Sequence, residues 1–203
     1  MNDIFNYMFP GLMMMWMIFI GQNLMADVYT ESERKTLPRM LGTPVNLNQF
    51  LVSKIIRCVI VCLMAEGLLM LFTAVVFRVR WGNPFWLILV IVAANLSITG
   101  LLAVVYGLAK TKILADAITV VVGLLTAFLG GGMIPFDEMP FLMKAIGSWT
   151  FNRWSVQGLQ AVMNARPLGE ITIPVMKLLL FGFVTTGLGM YWMRRRFQAG
   201  RLS

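Results

Sequence analysis

The chain has 203 residues, of which 59% are hydrophobic and only 13% are charged. It contains no histidine and two cysteines, which leaves little from which a zinc or haem site could be built. The formal net charge is +8, but the basic residues cluster beside long apolar runs, where they indicate membrane topology and not a nucleic-acid partner. This composition identifies an integral membrane protein.

Five apolar runs are long enough to cross a bilayer, which takes ~20 residues, and we interpret residues 1–203 as one transmembrane domain. The first run starts close to Met1, but it lacks the basic segment and the cleavage site of a signal peptide, which predicts a retained span. The predicted fold is therefore an all-α integral membrane protein with five transmembrane helices. The spans are predicted at about 7–25, 55–77, 85–108, 116–134 and 174–193.

One long polar segment, Val28–Lys54, separates the first two spans. Within it, Leu37, Met40 and Leu41 recur at the spacing of a single narrow helical face, and Gly42 suits the end of a helix. The pattern predicts a short helix whose apolar face docks into a groove of another protein. The alternative is a solvated connector whose charges only fix the topology.

The distribution of lysine and arginine predicts the orientation in the membrane. Eleven basic residues lie on the side of Val28–Lys54 and of the C-terminal tail, and six lie on the opposite side. Because the more basic side is normally cytoplasmic, we predict an outer N-terminus and a cytoplasmic C-terminus in a multi-pass protein of the cell (plasma or inner) membrane.

Three polar residues inside the spans are candidates for a transport path. Glu66 is the only acid deep within a span, where a charge is costly enough to suggest a function. It could line a polar path or bind a cation, or it could be a protonated carboxyl hydrogen-bonded to a neighbouring helix. Asn95 and Thr99 are the polar groups of the third span that could join it. The small residues between Ala93 and Gly107 favour close helix packing.

The region between the fourth and fifth spans, Pro135–Arg166, is less apolar and contains two amphipathic pieces, Pro140–Gly147 and Trp154–Met163. We predict outer re-entrant or interfacial helices here, because such helices are tolerated at membrane depth when protein covers them. The alternative is an interfacial loop with no gating role. Aromatic residues suited to the membrane interface are Trp149, Phe151 and Trp154.

Taken in chain order, these segments resemble ABC-2 type transporter permeases. The polar segment is similar to the first intracellular loop of that family, in which acids precede Thr-Leu, an apolar pair and Thr-Pro. The matching residues are Glu31, Glu33, Thr36, Leu37, Met40, Leu41, Thr43 and Pro44, followed by Lys54. Further similar motifs are Pro10-Gly11, Gly132-Met133-Ile134-Pro135, Met139-Pro140, Asn152-Arg153-Trp154 and the arginine-rich tail.

The resemblance implies the permease subunit of an ATP-driven exporter, which forms the translocation path with a second copy or a related permease in the lipid membrane. A separate ABC ATP-binding subunit binds ATP, so the permease is not an enzyme and needs no cofactor of its own; the sequence contains no phosphate-binding loop of the type GxxxxGK[ST]. A cytoplasmic coupling helix between the first two spans docks on that subunit. Its implied residues are Glu31, Glu33, Arg34, Thr36, Leu37, Arg39, Met40, Leu41, Thr43 and Pro44.

The outer re-entrant region that the resemblance implies contains Pro135, Met139, Pro140, Asn152, Arg153 and Trp154. The sequence departs from the family pattern at Lys35, where glycine is frequent, and at Phe151, where proline is frequent. Family members usually have six spans, and the chain is expected to lack the first of them.

Two functions of other classes were weighed against the exporter. An ion-coupled secondary transporter would use Glu66, but such folds usually show inverted repeats, and none is evident here. A membrane enzyme would need a Ser/His, metal or paired-carboxylate arrangement within the spans, and the sequence offers none.

Overall fold

The computed structural model describes residues 2–33, 47–132 and 134–198. These ranges form helices joined by short connections, and no strand occurs within them. The helices are α1 (Asn2–Glu33), α2 (Leu47–Val76), α3 (Pro84–Leu108), α4 (Lys112–Leu129), α5 (Phe141–Gly147), α6 (Phe151–Met163) and α7 (Leu168–Gln198), with a 3-10 turn at Phe136–Glu138. Five of these helices, α1 to α4 and α7, are long and apolar enough to cross a membrane, which confirms the predicted all-α fold with five spans.

Several helices extend beyond the predicted spans. α2 begins at Leu47, about two turns before the predicted start, so that Lys54 lies inside the helix and does not open it. α7 begins at Leu168 and contains Pro174, where the last span was predicted to start. The reason is that hydropathy marks the apolar part of a helix, whereas hydrogen bonding continues through its polar end turns.

α3 is the most enclosed span, and its closest partner is α7. A Cβ atom placed on Gly100 would lie 2.3 Å from Thr185 Oγ1 and 2.8 Å from the carbonyl oxygen of Gly182. The hydroxyl of Ser97 donates a hydrogen bond to the carbonyl of Leu178 at 2.7 Å. The predicted packing role of the small residues on α3 is confirmed, because they bring the two backbones together.

α2 has a narrow buried face and a broad exposed one. Its exposed side carries large apolar residues such as Met64, Leu68 and Val75. An open apolar cavity of about 510 Å³ lies between the C-terminal half of α2 and the N-terminal half of α3, and Gly67 is one of its lining residues. This surface suits lipid tails or an apolar face of another membrane subunit.

α6 packs inside the chain although it is too short to span a membrane. Its first residue, Phe151, stacks on Phe181 of α7 with 6.0 Å between ring centroids, and near its last turn the carbonyl of Val162 touches Gly82 of the α2–α3 connection. Thirteen residues at the helical rise cover about 20 Å, so α6 runs from beside the interior of α7 towards that connection. This burial favours the re-entrant interpretation over a surface loop.

The three aromatic residues predicted to anchor this region at the membrane interface have different environments. Trp149 is 81% exposed, as an interfacial anchor would be, but Phe151 is only 3% exposed. Trp154 is partly buried and packs edge-on against Phe181. The interfacial prediction was wrong for Phe151, because α6 begins at this residue and turns its ring towards α7.

Candidate coupling and transport site

The candidate path residues Glu66 and Asn95 form a pair that is fully buried between α2 and α3. The side-chain nitrogen of Asn95 donates hydrogen bonds to Glu66 Oε2 and, at 3.1 Å, to the carbonyl of Ile91. Glu66 Oε1 and Asn95 Oδ1 have no hydrogen-bond partner in the described part of the chain. If Glu66 were protonated on Oε1, it could donate a hydrogen bond to Asn95 Oδ1, and both oxygens would then have a partner. This supports the interpretation of Glu66 as a protonated carboxyl that joins two helices.

Thr99, the third candidate path residue, does not join this pair. Its side chain is also fully buried, and its hydroxyl lies 3.5 Å from the sulfur of Cys58, to which it can donate. The structure thus encloses all three candidate path residues within the single chain. It brings two of them together and places the third against Cys58, about two turns earlier on α2.

We expect Glu66→Gln to leave the thermal stability of the purified protein nearly unchanged, because a glutamine amide can both accept from and donate to Asn95. Glu66→Leu should lower the stability by about 1 kcal/mol, in the range measured for hydrogen bonds between membrane helices. The double variant Glu66→Leu/Asn95→Leu should be less damaging than Glu66→Leu alone, since no buried polar group is left without a partner. Equal losses from Glu66→Gln and Glu66→Leu would instead indicate a charged carboxylate.

Two ion pairs join α1 to α2 at the ends that flank residues 34–46. Asp27 pairs with Arg57 at 3.0 Å, and one turn further along α1 Glu31 pairs with Lys54 at 2.5 Å. Lys54 is only 11% exposed and its ammonium group also lies 5.4 Å from the centre of the Phe50 ring. These two pairs, which we call the α1–α2 ladder, fix the spacing of the two helices that lead into the predicted coupling segment.

The buried Tyr29 connects the same end of α1 to α3 and α7. Its hydroxyl lies 2.9 Å from the carbonyl oxygen of Tyr106 and 2.5 Å from that of Ala109, to which it can donate. The guanidinium of Arg196 donates to the Tyr29 hydroxyl at 2.8 Å. One side chain of α1 therefore holds the last turn of α3 and the last turns of α7.

α4 is tied to the same cluster through Asp116. Its carboxylate accepts a hydrogen bond from the hydroxyl of Tyr106 and pairs with Lys112 at 2.7 Å, one turn earlier on α4. The Tyr106 hydroxyl also lies 3.2 Å from the carbonyl of Gln22 on α1. Together with the α1–α2 ladder, these contacts connect all five spans at one end of the bundle.

Among the implied coupling residues, only Glu31 has a described side chain, and it belongs to the α1–α2 ladder. Glu33 is the last residue of α1. Residues of the set that lie outside the described ranges are Arg34, Thr36, Leu37, Arg39, Met40, Leu41, Thr43 and Pro44. Sequence reasoning missed the ion pair between Asp27 and Arg57. A signal was present, because two acids four residues apart on one helix can pair with two cations three residues apart on an antiparallel neighbour.

Three segments that carry the family resemblance meet at the opposite end of the bundle. A Cβ atom on Gly11 would lie 2.0 Å from the Cα of Gly132, so α1 and the exit of α4 touch through their backbones. The Asn152 side chain donates to the carbonyl of Thr126 at 3.0 Å. A Cβ atom on Gly130 would lie 2.9 Å from the backbone nitrogen of Arg153. Glycines are needed here because neighbouring backbone occupies the space of a side chain.

The remaining residues of the outer re-entrant set have different exposures. Pro135 precedes the 3-10 turn and is partly buried, Met139 is buried and Pro140 is exposed. The guanidinium of Arg153 lies 3.8 Å from the centre of the Phe136 ring. The indole nitrogen of Trp154 donates to the carbonyl of Ser148 at 2.8 Å, which closes the turn between α5 and α6.

Comparison with known proteins agrees with this architecture. A search of curated proteins returned no match. The model of a protein family described as "ABC-2 family transporter protein" matches residues 1–191, which is nearly the whole chain. The chain therefore belongs to the ABC-2 family of transporter proteins, as the order of its sequence motifs predicted.

Proposed function

We propose that the chain is the permease subunit of an ATP-driven exporter, coupled to a separate ATP-binding subunit through the segment between α1 and α2. Membership of the ABC-2 family supports a permease role and, in general, an ABC ATP-binding partner. The export direction and the docking segment are parts of this proposal. The observation that carries it is the α1–α2 ladder with the Tyr29 contacts, which connects both ends of residues 34–46 to α3 and α7.

This arrangement suits the transmission of movement. A partner that pulls on residues 34–46 would move α1 and α2 together, because Glu31 and Lys54 hold them at a fixed distance. The motion would reach α3 and α7 through Tyr29. ATP binding in another subunit could then change the relative populations of two arrangements of the spans, provided that the partner binds one of them more tightly.

A second copy of the chain, or a related permease, would complete the path. Asn23 is exposed on α1, and the Asp27–Arg57 pair next to it is about half exposed. Facing lipid, these polar groups would lose the solvation that water or protein provides. A second permease enclosing an aqueous path along this face of α1 would provide it, and a homodimer is the simplest such assembly.

We place the α1–α2 ladder at the cytoplasmic face, since the predicted excess of basic residues lies at that end. In a variant without Cys58 and Cys62, a membrane-impermeant thiol reagent applied to intact cells should label Trp149→Cys and should not label Lys110→Cys. Both parent residues are exposed, so access to the reagent depends on the side of the membrane. The opposite labelling pattern would show that the ladder faces the outside of the cell, and the docking model would then be wrong.

Charge reversal in the α1–α2 ladder tests the function. Glu31→Lys and Lys54→Glu should each lower the ATP turnover of the complex several-fold, because each places two like charges at ion-pair distance. The double variant Glu31→Lys/Lys54→Glu should recover most of the turnover. Measurement requires co-purification with the ATP-binding subunit and an ATPase assay in lipid vesicles.

The control for charge alone is Glu170→Lys, which reverses an exposed acid in the first turn of α7, far along that helix from Arg196. It should leave turnover unchanged. Absence of any co-purifying ATP-binding subunit with the unmodified chain would exclude the proposed function. Full turnover in both single variants would exclude the α1–α2 ladder from coupling.

A further inference from the structure

An open apolar groove separates the C-terminal half of α2 from the N-terminal half of α3, and we call it the α2–α3 groove. It has a volume of about 510 Å³, with Gly67 and Ala74 on its α2 wall and Ile91 on its α3 wall. The connection between the two helices closes one end. There the indole nitrogen of Trp81, a lining residue, donates to the carbonyl oxygen of Met70 at 3.2 Å. The groove thus has two walls and a closed end, and its remaining side is open.

The dimensions of the α2–α3 groove suit a single acyl chain. Leu63 and Ala74 line its α2 wall 11 positions apart, which is about 16 Å at the helical rise. One leaflet of the hydrocarbon core has about the same thickness, roughly 15 Å. A volume of about 510 Å³ over this length corresponds to a mean cross-section of about 30 Å², whereas a helix about 10 Å across needs more than twice that. A helix of a second copy therefore does not fit inside the groove, but an extended acyl chain does.

The closed end of the groove carries positive charge. Arg78 and Arg80 are exposed in the connection, whereas Val79 and Trp81, which alternate with them, are buried. Neither arginine pairs with an acid in the described part of the chain. Arg80 directly precedes the lining residue Trp81, so two unneutralised guanidinium groups belong to the segment that closes the groove. A guanidinium binds phosphate oxygens through parallel hydrogen bonds, which suits this end to a phosphate headgroup.

From these observations we infer that the α2–α3 groove binds an anionic phospholipid, with one acyl chain in the groove and the headgroup phosphate at Arg78 and Arg80. Both helices are membrane spans, so the open side of the groove faces the hydrocarbon in which such a chain already lies. Gly67 leaves the space free, because a Cβ atom there would meet no atom within 4 Å. The inference goes beyond the proposed exporter function and does not depend on the ATP-binding subunit or on the orientation in the membrane.

A lipid in the groove can be distinguished from lipid that only surrounds the protein. Surrounding lipid touches exposed side chains, such as Leu180 in the middle of α7, which is 68% exposed. Met70 and Ile91 line the groove, but each is only 6% exposed, so that a chain must enter the groove to contact them. Contact of an acyl chain with these two residues is therefore the signature of the proposed site.

The test is photolabelling with two lipids that carry the same diazirine on an acyl chain. The full chain is reconstituted in phosphatidylcholine vesicles with a minor fraction of labelled phosphatidylglycerol or an equal fraction of labelled phosphatidylcholine, and mass spectrometry identifies the labelled residues. We expect phosphatidylglycerol to label Met70 and Ile91 several-fold more strongly, since each basic residue near an anionic lipid is expected to contribute about fivefold to its local enrichment. Leu180 should be labelled equally by the two lipids.

Two variants test the two parts of the site. Arg78→Gln/Arg80→Gln should abolish the preference for phosphatidylglycerol at Met70. Its control, Arg194→Gln/Arg195→Gln, neutralises two exposed arginines near the opposite end of α3 and should retain the preference.

Gly67→Leu should fill the groove and reduce the labelling of Met70 and Ile91 by both lipids several-fold. It should not prevent folding, because the space is empty and leucine favours helix over glycine. Its control, Leu68→Phe, adds bulk on the exposed side of α2 beside the groove and should leave the labelling unchanged.

Unlabelled Met70 and Ile91 in the unmodified chain would overturn the site. Equal labelling of these residues by the two lipids, or an equal loss of preference in the Arg194→Gln/Arg195→Gln control, would overturn the assignment to an anionic headgroup. None of these outcomes bears on ATPase coupling.

Discussion

Truncation of both Met40 and Leu41 to alanine should release the ATP-binding subunit from the permease while leaving the chain inserted in the membrane. These residues belong to the apolar face predicted from helical spacing, and they lie outside the described residues. Buried apolar anchors carry most of the energy of an interface. Each truncation removes about 1–3 kcal/mol of burial. Loss of two anchors would therefore weaken binding by about thirtyfold or more.

The measurement is the amount of ATP-binding subunit that co-purifies with the double variant, with membrane insertion checked on the same preparation. Ile56→Ala/Ile60→Ala provides a matched control, because it removes similar apolar volume from the exposed side of α2 without touching residues 34–46. That control should retain the partner. If Met40→Ala/Leu41→Ala also retained it with full ATP turnover, the segment would be only a connector between spans.

The second large effect is expected at the crossing of α3 and α7. Gly100→Ala should lower the midpoint of thermal unfolding in detergent, and Gly100→Leu should lower it further or prevent folding. Even a methyl group would lie 2.3 Å from Thr185 Oγ1 and 2.8 Å from the backbone carbonyl oxygen of Gly182, which cannot rotate away, so the helices must separate. Overpacking of this kind typically costs about 1–3 kcal/mol.

Gly67→Ala is the matched control for this prediction. A Cβ atom on Gly67 meets no atom within 4 Å, because this residue borders the open cavity between α2 and α3. The substitution should be neutral or slightly stabilising, since alanine favours helix over glycine. A similar loss of stability from Gly67→Ala and Gly100→Ala would show that the α3–α7 crossing does not determine the effect.

The helices of this fold can be predicted from local sequence, but the tertiary contacts between them cannot. Apolar runs predicted all five spans, and the small residues of α3 predicted a packing face, because both properties are read within a single helix. The contact of Tyr29 with Arg196 joins residues 167 positions apart, and no periodicity indicates it. For the same reason the sequence showed Pro10-Gly11 and the glycines after α4 as separate motifs, although they touch in the structure.

The candidate path residues show where residue type alone is ambiguous. A lone carboxyl in a span is compatible with transport or with helix association, and only the position of Asn95 distinguishes these environments. Phe151 shows the same limit, since an aromatic ring suits a membrane interface and a protein core equally well. Its burial depends on where α6 begins, and helix boundaries are the least predictable property of a sequence.

The backbone contact between Gly11 and Gly132 gives α1 the geometry of a lever arm. Its fulcrum would be Tyr29, where α1 is held by α3 and α7, and the 18 residues from there to Gly11 span about 27 Å. A tilt of about 10° at the fulcrum would displace Gly11 by about 5 Å, a distance set by the length of that arm. Because Gly11 rests directly on Gly132, just after the end of α4, such a tilt would widen or close the bundle at that end. A small tilt of α1 at one end of the bundle would thus change the width of the bundle at its other end.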